Sequence, residues 1–233
     1  MQNRYVGDIG DFGKYLLLKA FSNGKLKLGV NWYLTADEHH NSDGKFIEYL
    51  LLPKPNEYSS ADDRLYKQLY EIVFKRRKRN VKEIEKNNVL KKEVQFFSEE
   101  LQSKNRKEWF TKSIGVLKHA DIIFCDPDNG IEVQSCSIEK PESVKYLYLQ
   151  EMKKYYELGK SLIIYQHGIR KKKNIQFLER KAQLVKYLNI SSENVRAVYS
   201  KRRFYFILMQ KNHKQKMLAV LQQIKRHSFF QFF

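Results

Sequence analysis

The chain has 233 residues, 42% of them hydrophobic, which predicts one domain with a sizeable core. With 44 Lys and Arg against 26 Asp and Glu, the net charge of +18 favours a polyanionic partner, nucleic acid first, over a neutral metabolite. Two cysteines are too few for a disulfide framework or a four-cysteine zinc site, and no apolar run reaches the roughly 18 residues of a membrane span, so we expect a cytoplasmic protein.

The N-terminal segment combines acids and glycines. Residues 5–14, YVGDIGDFGK, contain three glycines and two aspartates and lead into an apolar helix predicted at Tyr15–Phe21. Asp11 is predicted to be the N-cap of this helix, and the free amides at a helix start also suit a phosphate or a carboxylate. The start of this helix is therefore a candidate ligand-binding segment, and Asp8 and Asp11 are the candidate ligand-binding residues in it.

The first core strand is predicted at Leu28–Leu34. A polar loop follows it and contains Asp37 and Asp43. A polar loop at the carboxyl end of a strand is a common position for a binding site. His39 and His40 of the same loop are a weaker candidate for a metal site.

Residues 53–107 predict a basic, mainly helical insertion. A helix is predicted at Ala61–Phe74, and the stretch Lys75–Lys92 holds nine Lys or Arg against two Glu. Contact with a nucleic-acid backbone and a merely solvated surface are both open interpretations of this stretch. The candidates for backbone contact are Lys75, Arg76, Arg77, Lys78 and Arg79.

The most informative stretch is residues 120–132, ADIIFCDPDNGIE. Four apolar residues, Ile122–Cys125, predict a strand buried on both faces, as in a parallel sheet covered by helices. Pro127 removes a backbone donor and an Asn-Gly pair favours a turn, so the strand ends there. Ligands of open α/β sheets lie beyond the carboxyl ends of the strands. This places Asp126 and Asp128 at a candidate active site, with a purely structural turn as the alternative.

The rest of the chain alternates strands and helices. A strand at Ser161–Tyr165 and a helix at 175–188 indicate crossover connections and a parallel sheet. The last two strands, Val195–Tyr199 and Phe204–Met209, are joined by a short loop, which predicts an antiparallel hairpin. We expect residues 1–233 to form a single α/β domain with a Rossmann-like, mostly parallel sheet that ends in this hairpin, with helices on both faces.

Polar residues near the last strands are further site candidates. His167 follows the strand Ser161–Tyr165 and is a candidate ligand or general acid. Two basic loops are candidates for contact with nucleic acid. The residues proposed for this contact are Arg170, Lys171, Arg202 and Arg203.

This order of elements resembles the Rossmann-type sheet of class I S-adenosylmethionine-dependent methyltransferases, over roughly residues 28–34 and 105–210. The segment Asp126-Pro127-Asp128-Asn129 stands where amino-methylating members carry an Asp/Asn-Pro-Pro-aromatic motif, at the end of the fourth strand. The helix before the first strand is similar to that of a branch of ribosomal-RNA adenine methyltransferases. Two features depart from the family. No glycine-rich turn follows Leu34, and Asp128 and Asn129 replace the second proline and the aromatic residue.

The resemblance implies methyl transfer from S-adenosylmethionine to DNA or RNA. Asp126 would accept a hydrogen bond from the substrate amine, and Asn129 would orient that amine. Positioning supplies most of the acceleration in such a reaction. The cofactor would be bound by the aspartates Asp8, Asp11, Asp37 and Asp43.

Two other functions remain open. A nuclease or phosphoesterase would use Asp126, Asp128 and Glu132 as ligands of Mg²⁺ or Mn²⁺, since these ions prefer carboxylate oxygens. A non-catalytic nucleic-acid-binding protein would need only the basic segments. We rank methyl transfer first. Convergence of the acids within metal-binding distance would select hydrolysis, and a pocket large enough for an adenosine would select methyl transfer.

Overall fold

The computed structural model describes residues 1–38, 42–226 and 228–233, so the metal site considered at His39 and His40 lies outside the described residues. The strands are β1 (Leu28–Asn31), β2 (Gln95–Phe97), β3 (Ile122–Cys125), β4 (Gly130–Ile131), β5 (Tyr146–Leu147), β6 (Ser161–His167), β7 (Val195–Ser200), β8 (Arg203–Leu208) and β9 (Gln231–Phe232). The α-helices are α1 (Ile9–Ser22), α2 (Glu57–Ala61), α3 (Asp63–Tyr70), α4 (Val81–Lys86), α5 (Arg106–Val116), α6 (Leu149–Glu157), α7 (Lys173–Leu188) and α8 (Lys214–Ile224).

Seven strands form one mixed sheet in the order β2-β1-β3-β6-β8-β7-β9. The strands β2, β1, β3 and β6 are mutually parallel, and β8 lies antiparallel between β6 and β7. The short strands β4 and β5 form a separate parallel pair. The predicted α/β fold, with a parallel core and a terminal antiparallel hairpin, is confirmed.

Helices cover both faces of this sheet. Phe124 of β3 belongs to an apolar cluster that includes side chains of α1, α3, α4 and α8. Its neighbours Ile123 and Cys125 belong to a second cluster, with side chains of α5, α6 and α7. Successive residues of a strand point to opposite faces, so a strand buried on both faces is apolar throughout, as β3 is. None of the helices in the described ranges combines the length and the hydropathy that a membrane span requires.

The segment 53–107 packs on the same core as the rest of the chain. Leu65 and Leu69 of α3 lie in the apolar cluster that contains Phe124, and β2 is an edge strand of the main sheet. The helix predicted at 61–74 is interrupted at Asp62, whose side chain accepts a hydrogen bond from the Leu65 amide at 2.8 Å and caps α3. This segment therefore completes one edge of the sheet and one face of the core.

The start of α1 differs from the prediction. The helix begins at Ile9, and Asp8 is its N-cap, with its carboxylate accepting the Gly10 amide at 2.9 Å. The expectation that Asp11 caps the helix is wrong. Gly10 and Gly13 have low helix propensity, but a Cβ on Gly10 would lie 1.8 Å from the Arg203 guanidinium carbon. The glycines let α1 approach the β7–β8 hairpin, and this packing outweighs their cost to the helix.

The register of the sheet brings four chain segments to one edge. Asn31 at the end of β1 lies opposite Cys125 at the end of β3, and Cys125 lies opposite Ile164 of β6. Since β8 is antiparallel, its first residue, Arg203, lies opposite His167 at the end of β6. The segments that follow β1, β3 and β6 therefore meet the segment that precedes β8.

A buried ion pair joins α5 to α6. Arg106 Nε lies 2.7 Å from Glu151 Oε1, and Arg106 Nη2 lies 2.8 Å from Glu151 Oε2. Arg106 Nη1 donates to the Ser143 carbonyl oxygen at 2.9 Å, and Nη2 also donates to the Tyr146 carbonyl oxygen at 2.7 Å. The pair thereby fixes the chain between β4 and α6 against the start of α5.

Replacing Arg106 with Met is expected to destabilise the protein by about 3–5 kcal/mol, because Glu151 would stay buried without a counter-charge. Urea unfolding measures this loss. The matched control is Lys112→Met, which breaks the exposed pair of Lys112 with Glu108 and is expected to cost less than about 1 kcal/mol. Equal losses in the two variants would contradict a special role for the buried pair.

Candidate functional site

The carboxyl edge of the parallel strands opens into a cavity of about 430 Å³. Its walls come from residues 1–5, the start of α1, the loop after β3, the end of β6 and the β7–β8 turn. Most of the predicted catalytic and ligand-binding residues line this one space. They are Asp8, Asp11, Asp43, Asp126, Asp128, Asn129, His167, Arg202 and Arg203.

Two predicted acids lie elsewhere. Asp37 is exposed and its carboxylate accepts a hydrogen bond from the Arg4 amide at 3.1 Å, outside the cavity. Glu132 follows β4 and lines a different cavity, beside Cys136 and Tyr148. A turn separates Glu132 from Asp126, and β4 carries it away from the edge where β3 ends. The structure thus does not bring these two acids to the cavity.

The basic segment after α3 is only partly a surface. Lys75, Arg76, Arg77 and Lys78 are exposed. Arg79 turns inward, where its Nε donates to the Val6 carbonyl oxygen at 2.7 Å and its Nη2 donates to the Gly44 carbonyl oxygen. These two hydrogen bonds connect Arg79 to the loops that contain Val6 and Gly44, and its contact with nucleic acid stays a prediction.

A buried lysine stands at the centre of the cavity wall. Lys14 of α1 is 2% exposed. Its Nζ lies 2.7 Å from Asp126 Oδ2 and 3.0 Å from Asp11 Oδ1. Burial lowers the pKa of Lys14, but the two carboxylates outweigh it and hold the pKa above the usual value. The ammonium is therefore charged, and it ties the first turns of α1 to the end of β3.

Replacing Lys14 with Met is expected to destabilise the protein by about 3–5 kcal/mol, since two buried carboxylates lose their shared cation. Without the cation the pKa of Asp126, already raised by burial, rises further in the folded state only. The folded protein then binds more protons than the unfolded chain, so stability falls as pH rises above the ordinary aspartate pKa. Urea unfolding from pH 5 to pH 8 measures both effects.

The exposed Lys25 provides the control for this experiment, because Lys25→Met removes one charge without touching the cavity. The double variant Lys14→Met with Asp126→Asn is expected to recover part of the lost stability. A Lys14→Met protein whose stability matched the control at every pH would contradict the role of this ion pair.

Asp128 is held by the first two residues of the chain. Its Oδ1 lies 2.5 Å from the Met1 amino group, and its Oδ2 accepts a hydrogen bond from Gln2 Nε2 at 2.8 Å. The same amino group donates to the carbonyl oxygens of Tyr33, at 3.0 Å, and Asp126, at 2.8 Å. Met1 and Gln2 therefore fill the crevice between the ends of β1 and β3, where the strand order reverses and where such folds commonly bind ligands.

Burial sets the proton affinity of two cavity acids. It raises the pKa of Asp126, against the lowering effect of Lys14. It also raises the pKa of Asp8, against the hydrogen bond from the Gly10 amide. A carboxylate with a raised pKa is the stronger proton acceptor. Asp126 is thus a rigidly held carboxylate with a raised proton affinity at the end of β3.

His167 is the imidazole of the cavity. Its Nδ1 lies 3.4 Å from the Tyr165 hydroxyl. Burial lowers the pKa of His167, and the positive charges of Arg203 and Arg202 lower it further, while Asp43 acts in the opposite direction. His167 is therefore neutral at pH 7 and is able to accept a proton.

An NMR titration is expected to give His167 a pKa below the ordinary value of about 6.5. The Arg202→Gln variant removes one positive neighbour, so the imidazolium becomes less unfavourable and the pKa of His167 rises toward that value. Lys25→Met removes a positive charge away from the cavity and is expected to leave the pKa of His167 unchanged. A pKa at or above the ordinary value in the unaltered protein would contradict this electrostatic description.

Beside the cavity lies a basic groove of about 770 Å³. It shares His167 and Arg202 with the cavity. The start of α7 and the loop before it supply four consecutive cations, Arg170, Lys171, Lys172 and Lys173, all exposed. Two of them, Arg170 and Lys171, were predicted to contact nucleic acid.

The sequence did not single out every residue that shapes the site. Lys14 and Tyr165 line the cavity without having been predicted as site residues, whereas Lys172 and Lys173 belong to a basic loop predicted to contact nucleic acid. Lys14 had one usable signal, since it stands three residues after Asp11, on the same face of a helix. Among the residues that the structure describes, no group of three or more His, Cys, Asp or Glu side chains is arranged to hold a metal ion.

Comparison of the chain with protein-family models, with curated proteins and with solved structures gave no match.

Proposed function

We propose that the protein is an enzyme that modifies nucleic acid, and that its reaction is methyl transfer in the cavity at the end of β3. One observation carries the proposal. A cavity of about 430 Å³ that contains Asp126, Asn129 and His167 opens beside a groove lined by four consecutive cations. Ligand pockets for small molecules have volumes of roughly 300–1,000 Å³, so a nucleoside-sized group fits the cavity.

The distribution of charge supports a polyanionic substrate. The net charge of the chain is +18, and the groove concentrates positive charge next to the cavity. Phosphate backbones bind such surfaces through release of their counterions. A neutral metabolite would gain nothing from the groove. The substrate is therefore a nucleic acid whose backbone lies in the groove and whose reacting group reaches the cavity.

The arrangement of the acids favours methyl transfer over metal-dependent hydrolysis. Four of the cavity carboxylates are already paired with cations: Asp8 with Arg203, Asp11 and Asp126 with Lys14, and Asp128 with the Met1 amino group. A divalent metal would have to displace these partners. The carboxylates instead line a cavity whose volume suits a nucleoside, and this supports methyl transfer. The parallel sheet that ends in an antiparallel hairpin is also the feature that resembles class I methyltransferases.

The polar side chains of the cavity suit S-adenosylmethionine, whereas the crevice between β1 and β3 has no room for it. Met1 and Gln2 fill that crevice, so the cofactor would bind in the cavity itself. Asp8 and Arg203 line the cavity as an ion pair, with Arg203 Nη2 3.5 Å from Asp8 Oδ1. If the cofactor separated this pair, Asp8 would face its positive charge or hydroxyl groups and Arg203 would face its carboxylate. When bound, the cofactor supplies an activated methyl group.

The residues at the end of β3 have distinct roles in this proposal. Asp126 accepts a hydrogen bond from the substrate amine, and Lys14 holds its carboxylate in place. Asn129 orients the amine, since its own backbone is fixed by hydrogen bonds to the Lys145 carbonyl and the Gln166 side chain, at 2.9 and 3.1 Å. Neutral His167 accepts the proton that the amine releases.

Titration calorimetry with S-adenosylmethionine alone is expected to show micromolar binding. A cofactor with a labelled methyl group is expected to label DNA or RNA, and Asp126→Asn is expected to slow this labelling about 100-fold, the loss typical of one preorganised contact in a reaction centre. Asp11 still pairs with Lys14 in this variant, so circular dichroism is expected to show an intact fold.

Asp37→Asn is the matched control, because Asp37 is an exposed aspartate outside the cavity. It is expected to leave labelling unchanged. Absence of calorimetric heat and of any label would contradict methyl transfer. Cleavage of nucleic acid that requires Mg²⁺ or Mn²⁺ and stops in EDTA would favour the hydrolytic alternative, and salt-sensitive binding without turnover would favour a binding protein.

A further inference from the structure

The turn between β7 and β8 is strained at the place where the groove meets the cavity. Lys201 has φ of 45° and Arg202 has φ of 69°. Two-residue hairpin turns with positive φ strongly favour Asn-Gly, since an L side chain in this region costs energy. The chain places two long cations there instead. Strain of this kind persists where the surrounding structure holds it, and it clusters at functional sites.

The turn is pinned against the end of β6. The Gly168 amide donates to the Arg202 carbonyl oxygen at 2.8 Å. A Cβ on Gly168 would lie 2.4 Å from that same oxygen, so no side chain is tolerated there. Arg202 is consequently fixed at the boundary, and it lines both the cavity and the groove.

Arg202 is available for an anion. Its side chain is exposed, and none of the ion pairs in the described part of the chain includes it. The neighbouring cations differ, since Lys171 pairs with Glu179 and Lys173 lies 4.5 Å above the Tyr199 ring. An arginine with free donors beside a cavity is suited to one phosphate group.

The groove has the features of a site for single strands. Positive side chains line it, and the rings of Tyr199 and Phe233 form part of its wall. Proteins that bind single-stranded nucleic acid combine a cationic groove with aromatic rings. The cavity is also recessed at the end of the groove, and a base inside a duplex is stacked and cannot enter such a space.

We propose that the groove binds single-stranded nucleic acid, and that Arg202 binds the phosphate next to the nucleotide whose base enters the cavity. The destination of the base rests on the proposed function. The binding of the strand in the groove does not, because it requires neither cofactor nor reaction.

The test is fluorescence anisotropy without cofactor, with labelled oligothymidylate, labelled oligouridylate and a labelled mixed-sequence DNA duplex. At least one single strand is expected to bind about tenfold more tightly than the duplex, and the two single strands distinguish DNA from RNA. Arg202→Gln is expected to weaken this binding about tenfold, the loss of one charge-assisted hydrogen bond. It is also expected to reduce the slope of log K against log salt by about 0.7, the value for one phosphate on a single strand.

Arg202→Gly separates binding from folding. It removes the cation and also relieves the positive φ, so it is expected to weaken binding as much as Arg202→Gln does while raising the midpoint of urea unfolding. Arg202→Gln keeps the strain and is expected to leave the midpoint nearly unchanged. If Arg202 had only a structural role, Arg202→Gly would not raise the urea midpoint and weaken strand binding at the same time.

Lys25→Gln is the control for net charge. Lys25 is exposed and precedes β1, at the edge of the sheet opposite the cavity, so its loss is expected to leave binding unchanged. Equal losses in the Lys25 and Arg202 variants, or duplex binding as tight as single-strand binding, would overturn the proposal. The binding assay contains no cofactor, so it tests the groove separately from the reaction. Strand binding together with a failed labelling assay would reject the proposed reaction alone. Successful labelling together with unaltered strand binding in both Arg202 variants would reject the proposed groove alone.

Discussion

The ion pairs of Lys14 with Asp11 and Asp126 are the constraint on which the site depends. A lysine that is 2% exposed loses nearly all of its hydration, and only close carboxylates make its burial tolerable. Asp11 belongs to the same helix, whereas Asp126 follows a strand 112 residues later in the chain. The lysine therefore holds α1 over the end of β3 and leaves a cavity between them. The same contact fixes the carboxylate of Asp126, so one interaction sets both the shape of the site and its chemistry.

Close packing around α1 requires residues that lower the intrinsic stability of the helix and of the neighbouring hairpin turn. Gly13 lies against Ser200, where an added Cβ would come within 2.9 Å of the Ser200 hydroxyl oxygen, and Gly10 lies against Arg203. Both glycines lower the intrinsic stability of the helix. The hairpin beyond them has a turn, Lys201-Arg202, with unfavourable backbone angles. These exceptions lie together around the cavity, while the strands β3 and β6 follow ordinary preferences. Such clustering is expected where function competes with local stability.

Much of the fold was predictable because its signals are local. The apolar run Ile122–Cys125 indicated a buried strand, and the short connection Lys201-Arg202-Arg203 indicated a hairpin; both elements were confirmed, with Arg203 as the first residue of β8. The start of α1 was missed because glycines normally indicate a loop, and the contacts that compensate for them come from distant segments. Lys14 was missed for a related reason. In a chain with 44 Lys and Arg, one more lysine suggests a surface residue, and its partner Asp126 is far away in sequence.

The aspartates of the site line the cavity, and none of them lies among the cations of the groove. Carboxylates repel phosphate, so acids placed among the groove cations would weaken binding of a polyanion. The aspartates line the cavity together with Lys14, Arg202 and Arg203, whereas the groove, over the residues that the structure describes, is lined by cations and by no Asp or Glu. In the proposed function, the nucleic-acid backbone lies among the groove cations and the reacting amine lies beside Asp126. The proposal therefore requires that the acids be confined to the space that the backbone does not enter, and the linings of the two spaces agree with this requirement.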